Sequence, residues 1–372
     1  MKSSAKTVNI LGIRGIPAAH GGFETFAGHL APYLRDKGWQ VNVYCQLDPD
    51  SQGNLQQDCE DDYEGIRRIF IGSRNGSLGT ILFDWECIRD ARKRPGVNLV
   101  LGYNTAIFSA LLRASGKRVV MNMDGVEWKR AKWSWPIKAW FYLNELLGSH
   151  LANVPIADHP EIANHLKRHA CFGAEVIPYG AEKILNAPVE PLEALNLAPG
   201  EYFVSIARIE PENSILEMVR AYSVRPRLTK LVVLGKFDPS NDYHNAVLAA
   251  ASNDVRFVGA IYDQKVVASL RFHSFAYVHG HQVGGTNPSL VEALGAGNAV
   301  IAHSNRFNRW VAGPDQFYFE SQSSLDEIFS DLEADRSTIK LAKSAAWTRH
   351  QELFTLSSIN QQYESVLERF LN

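Results

Sequence analysis

The sequence predicts an α/β protein of two domains, each a mostly parallel sheet wrapped by helices, the two facing each other across a cleft. Three observations predict it. The chain has 372 residues, more than one hydrophobic core usually organises, so two cores are expected. Apolar runs of strand length at 8–13, 41–44, 68–71, 98–101, 118–123, 153–157 and 175–177 alternate with longer helical patterns, the signature of a sheet built from strand-helix-strand units. The alternation then lapses in a stretch holding Pro188, Pro191, Pro199 and Gly200, and resumes with strands at 202–207, 231–234, 255–258, 275–278 and 299–302.

The loose stretch, roughly 180–200, reads as a linker. Residues 1–180 then form an N-terminal Rossmann-like domain and 181–357 a C-terminal one. In the last segment, 358–372, Ile359, Tyr363, Val366, Leu367 and Phe370 recur at helical spacing. That helix needs an apolar surface, and packing back on the first domain supplies one.

Composition narrows the class further. With 45% hydrophobic and 21% charged residues the chain reads as globular, without disorder. The net charge of −2 divides into +3 over residues 1–180 and −5 beyond. No strong basic stripe marks a nucleic-acid binder, although the first half can be drawn weakly to an anionic surface. Cys45, Cys59, Cys87 and Cys171 have neither a CxxC pairing nor a neighbouring His at ligand spacing, so no zinc site and no disulfide framework is expected. A short polar leader runs straight into the first strand, and no apolar run approaches ~18 residues. The expectation is a cytoplasmic protein that is neither exported nor membrane-spanning.

Three segments carry chemistry. After the first strand, Gly21 and Gly22 open a helical pattern of Phe23, Phe26, Leu30 and Leu34. Glycines at such a turn allow close approach of a ligand, and a helix N-terminus favours an anion; a tight turn alone would also account for the pair. Gly12, Gly15 and Gly21-Gly22 do not make the three-glycine dinucleotide fingerprint, which disfavours NAD. The second segment is 278–302, where Gly284, Gly285 and Thr286 precede an Asn287-Pro288 helix start followed by Ser289 and Glu292. The positive helix end suits a diphosphate, and Glu292 reaches far enough along to accept from a ribose diol. A solvated helix residue is the alternative for Glu292. The third segment, 205–215, ends a strand at Arg208, and Lys236 ends the next one. Two cations on one strand edge suit a diphosphate, whereas pairing of Arg208 with Glu210 or Glu212 is the alternative.

Six phrases in order, GIRGIPAAHGGFETF, VYCQ, LGYNTA, DGVEWKRAKW, ARIEPENSI and GGTNPSLVEALGAGNAVIA, resemble the GT-B glycosyltransferases of family 4, and within them the bacterial rhamnosyltransferase-like subgroup of capsule and O-antigen assembly. The resemblance runs through nearly the whole chain. It implies a GT-B fold and a retaining, metal-independent sugar transfer from a nucleotide-sugar, which is a substrate and not a cofactor. The acceptor would be a saccharide or a lipid-linked saccharide, and L-rhamnose on dTDP would be the donor. Arg208, Lys236 and Glu292 would serve catalysis; Gly21, Gly22, Gly284, Gly285, Thr286, Asn287 and Ser289 would bind the donor; His20, Glu24, Asp124 and Glu127 would orient the acceptor.

The sequence departs from the family in three places. Gly284 stands where a first glutamate is common, eight residues before Glu292, and Asn213 stands five after Arg208 where a Lys is common, with Lys236 as its replacement. Asp124-Gly125-Val126-Glu127 occupies the place after 118–123 where the family's His would be expected. A sugar-nucleotide epimerase, or a noncatalytic sugar-nucleotide binder, remains a competing reading. Residues 127–142 hold four of the eight Trp and a local charge of +3. They either meet an anionic membrane surface or pack on the domain and line the acceptor side.

Overall fold

The structure is a computed structural model that describes residues 6–18, 21–130, 132–171 and 173–371. The chain divides into two compact units, Met1–Pro178 with Leu356–Asn372, and Tyr179–Thr355.

The first unit holds β1 (Thr7–Leu11), β2 (Gln40–Leu47), β3 (Cys59–Tyr63), β4 (Ile66–Gly72), β5 (Val97–Leu101), β6 (Val119–Asn122), β7 (Val154–Ala157) and β8 (Glu175–Val176). They form one sheet in the order β3-β4-β2-β1-β5-β6-β7-β8, parallel except for the β3–β4 pair. The two central strands β1 and β5 are buried at every position, as strands covered on both faces must be. The one strand with no apolar run to announce it is β3, whose sequence CEDDY is mostly exposed at the sheet edge; its charges discourage further pairing there.

A polar ladder crosses the centre of this sheet. Asn42, Asn9 and Asn98 stand at matching register positions on β2, β1 and β5. Asn42 Nδ2 donates to Asn9 Oδ1 at 2.8 Å, and Asn9 Nδ2 to Asn98 Oδ1 at 3.2 Å. Slipping either pairing by one residue would strand these buried amides, so the ladder helps specify register.

The C-terminal helix, Leu356–Glu368, belongs to this unit. Its Tyr363 ring lies 4.6 Å from that of Phe26, and Asn122 Nδ2 donates to the Tyr363 hydroxyl at 2.8 Å. Glu364 accepts from Tyr33 and from the Trp39 indole.

The second unit holds β9 (Tyr202–Ile206), β10 (Lys230–Leu234), β11 (Val255–Gly259), β12 (Ala276–His279), β13 (Val300–His303) and β14 (Phe317–Phe319). Their order is β11-β10-β9-β12-β13-β14, all parallel. At three residues, β14 is too short to give a readable pattern. The stretch expected to be a linker is packed instead. Leu192 and Leu197 are buried against Tyr202, Val204 and Val232, and Ser269 donates to the Pro188 carbonyl. Pro191 opens the short helix Glu190–Ala194 and Pro199-Gly200 form a turn, so the stretch is not a free tether.

In both sheets the strand order reverses once, between β1 and β5 and between β9 and β12. Loops leaving the carboxyl ends of the strands diverge at such a point and leave a crevice, where open α/β sheets bind ligands.

Candidate functional site

At the carboxyl edge of the second sheet, Arg208 follows β9 and Lys236 follows β10, and these strands are neighbours. The two cations therefore leave the same edge. The Arg208 side chain is 63% exposed, with long contacts to Glu210 at 3.5 Å and Glu212 at 3.9 Å. Ion pairs so exposed contribute little to stability, so they leave the guanidinium available to a stronger anion. Lys236 is exposed as well.

The loop after β12 completes this edge. Asn287 caps the helix Pro288–Gly295 by accepting from the Ser289 N–H at 3.0 Å, with Pro288 in its first turn. Gly285 has φ +113°, a conformation that L side chains rarely adopt, and Thr286 is buried. A Cβ on Gly284 would meet the Phe307 ring at 2.4 Å. Phe307 thus accounts for a glycine where the resembled family carries a glutamate.

Asn213 does not act as a cation's stand-in. Its Nδ2 donates to the Arg208 carbonyl at 2.9 Å and its Oδ1 lies 2.7 Å from His281 Nδ1. It pins the loop after β9 to the loop after β12.

The Ser289 hydroxyl turns inward. Its Oγ lies 2.6 Å from the Tyr277 hydroxyl, 3.1 Å from the Ile206 carbonyl and 3.1 Å from Arg271 Nη2. Glu292, 37% exposed, pairs through Oε2 with Arg271, whose side chain is 6% exposed. Sequence reasoning missed Arg271 and Tyr277. Nothing in local spacing marks them, because their partners lie far along the chain.

In the first unit the chain leaves β1 through Gly12, where a Cβ would come within 2.3 Å of the Leu101 carbonyl on β5. Gly21 has φ +78° and caps the helix Gly22–Asp36 without a side-chain hydrogen bond. Glu24 folds back over that helix start. A Cβ on Gly21 would meet its Oε2 at 2.4 Å, and its Oε1 accepts from the Arg14 N–H at 3.1 Å. The carboxylate thereby shares the positive helix end with any bound anion. His20 lies outside the described residues.

Asp124 follows β6 with φ +47°, and its N–H donates to Asn122 Oδ1 at 2.8 Å. Burial first, and the Glu127 charge second, push its carboxyl up to about 6. Burial likewise pushes Asp84 up to about 6, although the Thr105 hydroxyl donates to it at 2.8 Å. Glu127 is committed to Arg130 at 2.7 Å and to the Trp133 indole at 3.3 Å.

A second cluster underlies this loop. The Trp128 indole donates to Glu145 Oε2 at 3.1 Å, while His165 Nε2 and His169 Nε2 lie 2.8 and 2.7 Å from Glu145 Oε1. Burial pushes the Glu145 carboxyl up, but the two histidines outweigh it and hold it below its ordinary value. These three buried residues form the one grouping of metal-ligand type among the described residues. Ligands sharing a tetrahedral zinc stand roughly 3.3 Å apart, so the shorter separations are those of hydrogen bonds. The i, i+4 spacing of His165 and His169 was readable in the sequence, but Glu145 was not.

Of the four Trp in 127–142, Trp128, Trp133 and Trp140 point their indole N–H groups at Glu145, Glu127 and the Asn104 carbonyl. Trp135 is 80% exposed, on the helix Trp135–Leu151 with Ile137, Tyr142 and Leu143 also exposed. Among the described residues, no helix is long and apolar enough to cross a membrane.

A family model described as a domain of unknown function, DUF1972, matches residues 5–182. No curated protein matches the chain. Solved structures match over almost its full length. Sucrose-phosphate synthase from Thermosynechococcus elongatus is 17% identical, covering 98% of each chain, with a TM-score of 0.79. HepE from Anabaena, solved with UDP, is 15% identical over 98% of this chain and 100% of its own, with a TM-score of 0.75. The UDP-forming α,α-trehalose-phosphate synthase from Burkholderia vietnamiensis is 10% identical at the same coverage and TM-score. The fold is that of the GT-B glycosyltransferases, two Rossmann-like α/β bodies in one chain.

Proposed function

We propose that this chain is a retaining, metal-independent glycosyltransferase. It moves a sugar from a nucleotide-sugar to a saccharide or lipid-linked saccharide in surface polysaccharide synthesis. The observation that carries the reading is the carboxyl edge of the second sheet. Two exposed cations, Arg208 and Lys236, leave adjacent strands there, beside a glycine loop that ends in a capped helix N-terminus. That is a diphosphate site in charge and in backbone geometry. HepE, of the same fold, has been solved with UDP-glucose.

In this reading Gly284, Gly285, Thr286 and Asn287 cradle the diphosphate, Glu292 accepts from the ribose, and Ser289 sets the helix that carries them. Gly21 and Gly22 lie under the transferred sugar, and Glu24, Asp124 and Glu127 orient the acceptor. Residues 1–180 serve the acceptor and 181–357 the donor. The acceptor oxygen attacks the anomeric carbon on the face the diphosphate leaves. The bond from that carbon to the phosphate oxygen breaks, and the acceptor proton passes to the departing oxygen. Configuration is retained without an enzyme nucleophile. Arg208, Lys236 and the loop N–H groups stabilise the leaving charge. The donor drawn from the subgroup resemblance is dTDP-L-rhamnose. Exposed Trp135, Ile137, Tyr142 and Leu143 near the exposed Lys129 and Lys132 suit peripheral contact with the anionic inner face of a cell membrane.

The test is turnover with a panel of UDP- and dTDP-sugars and saccharide acceptors, with Arg208→Ala and Glu292→Ala alongside. Glycosylated product from wild type, with kcat/KM lower by about a hundredfold or more in each variant, is the expected result. Isomerised donor, binding without product, or near-normal kcat/KM in both variants would overturn the reading.

A further inference from the structure

In the second unit a charged side chain lies beneath the site rather than in it. Arg271 stands in the last turn of the helix Gln264–Phe272 and buries its guanidinium almost completely. Its carbonyl is fixed by Ser274 Oγ at 2.9 Å and Asn298 Nδ2 at 2.7 Å. Its Nη2 forms an ion pair with Glu292 Oε2 and donates to Ser289 Oγ, while its Nε is buried without a partner among the described residues.

Burying a guanidinium is costly, and an unpartnered Nε adds to the cost. Glu292 is the carboxylate that faces it, and Glu292 is the more exposed of the two. The pair is thus lopsided: a rigid, buried donor holds one oxygen of a carboxylate whose other oxygen, Oε1, takes no hydrogen bond among the described residues. A surface glutamate on a helix samples many rotamers, whereas this one is anchored from below. The anchor is itself braced. Ser289 ties Arg271 to the Tyr277 hydroxyl and to the Ile206 carbonyl at the end of β9, so β9, β12 and the helix Pro288–Gly295 all converge on one guanidinium.

We propose that Arg271 is a positioning residue that presents the Glu292 carboxylate to the ribose hydroxyls of the donor nucleotide. The proposal rests on the reading that the second unit binds a sugar nucleotide. Arg271 touches no substrate; it fixes which oxygen of Glu292 is offered and removes the entropic cost of ordering that side chain on binding.

The experiment is calorimetric titration with UDP and dTDP, and with the 2′,3′-dideoxy counterpart of whichever nucleotide the wild type binds. The proteins are wild type, Arg271→Met, Arg271→Lys, Glu292→Gln and the Arg271→Met/Glu292→Gln double variant. Arg271→Met is expected to weaken the hydroxylated nucleotide by about tenfold to a hundredfold and the dideoxy one by less than about twofold. Arg271→Lys, which keeps the charge and the fold, recovers part of the loss. The double variant binds no more weakly than Glu292→Gln alone, because one function is removed twice. Equal weakening of both nucleotides by Arg271→Met and Arg271→Lys would mark a merely structural role and overturn the proposal. So would undiminished binding in Arg271→Met while Glu292→Gln is impaired. If the wild type binds neither nucleotide, or Glu292→Gln binds as wild type does, the donor reading of Glu292 falls together with it.

Discussion

The loop after β6 in the first unit and the loop after β12 in the second both leave the carboxyl ends of parallel strands, yet they are built oppositely. After β12 the chain uses glycines, a capped helix start and neighbouring exposed cations, and its one carboxylate, Glu292, is anchored from below by Arg271. After β6 it uses carboxylates. Asp124 is half-buried with its carboxyl pushed up, Glu127 is tied to Arg130 and Trp133, and Glu145 beneath them holds Trp128, His165 and His169. The first construction suits an anion, whereas the second suits a neutral hydroxyl that a carboxylate can orient through a hydrogen bond. On the functional reading proposed above, donor and acceptor are divided between the units by this contrast in charge.

The largest test of the contrast is Asp124→Asn. Asparagine tolerates the left-handed backbone at this position, so the variant removes the charge and keeps the loop. We expect kcat to fall about a hundredfold, because the acceptor hydroxyl loses the carboxylate that orients it. In wild type, activity should rise as pH climbs through about 6, where Asp124 ionises, and the variant should lose that limb. The linkage has a definite sign. A carboxyl raised above its unfolded value stabilises the folded state fully below the unfolded pKa and loses that contribution as pH rises through about 6. The variant should therefore gain thermal stability on wild type at pH 8 relative to pH 5. A flat wild-type profile between pH 5 and 7 would remove Asp124 from the chemistry.

The fold was largely legible because its strands are short apolar runs covered on both faces, and such runs stand out against helical spacing. β3 hid because an exposed edge strand has no apolar face, and 180–200 misled because prolines mark helix starts and turns whether or not a segment is packed. The glycine loop after β12, its helix cap and the strand-end cations were legible too, since Gly285, Asn287, Arg208 and Lys236 are local features. Arg271, Tyr277 and Glu145 were not. Each matters through a partner brought near by the sheet order, such as Glu145 with His165 and His169, and no spacing rule reports that.

Glu145→Ala comes next, directed at stability. It leaves two buried histidines and the Trp128 indole facing a void. A loss of about 3 kcal/mol at pH 7, and a Tm lower by about 6–12 °C, is expected by thermal melting. Because the histidines hold this carboxyl below its ordinary value, its stabilising contribution is present above the unfolded pKa and vanishes as pH falls through the folded one. The gap between variant and wild type should thus narrow below about pH 4.5. An unchanged Tm at pH 7 would show that the cluster is not what holds the loop after β6.

Lys236→Ala probes the other loop more gently. The lysine is exposed, and on the proposed reading it shares the diphosphate with Arg208, so a rise in donor KM of about tenfold is expected with kcat falling less. A larger fall in kcat than rise in KM would place Lys236 on the leaving group only in the transition state.

The smallest expected effect concerns the outer face of the first unit. Three of the four tryptophans in 127–142 are hydrogen-bonded inward, which leaves Trp135 as the exposed indole of that segment. If the acceptor is lipid-linked, the segment bearing Lys129, Lys132 and Trp135 meets the bilayer, and Trp135→Ala should weaken flotation with anionic vesicles by a few-fold. Activity on a short water-soluble saccharide should not change, because the Trp135 side chain is exposed, unlike the three hydrogen-bonded indoles of the segment. Vesicles of purely zwitterionic lipid should bind more weakly than anionic ones, since roughly 1 kcal/mol accrues for each basic residue near an anionic surface. Binding that ignores both lipid charge and Trp135 would detach the exposed apolar face from the membrane and leave the acceptor a soluble saccharide.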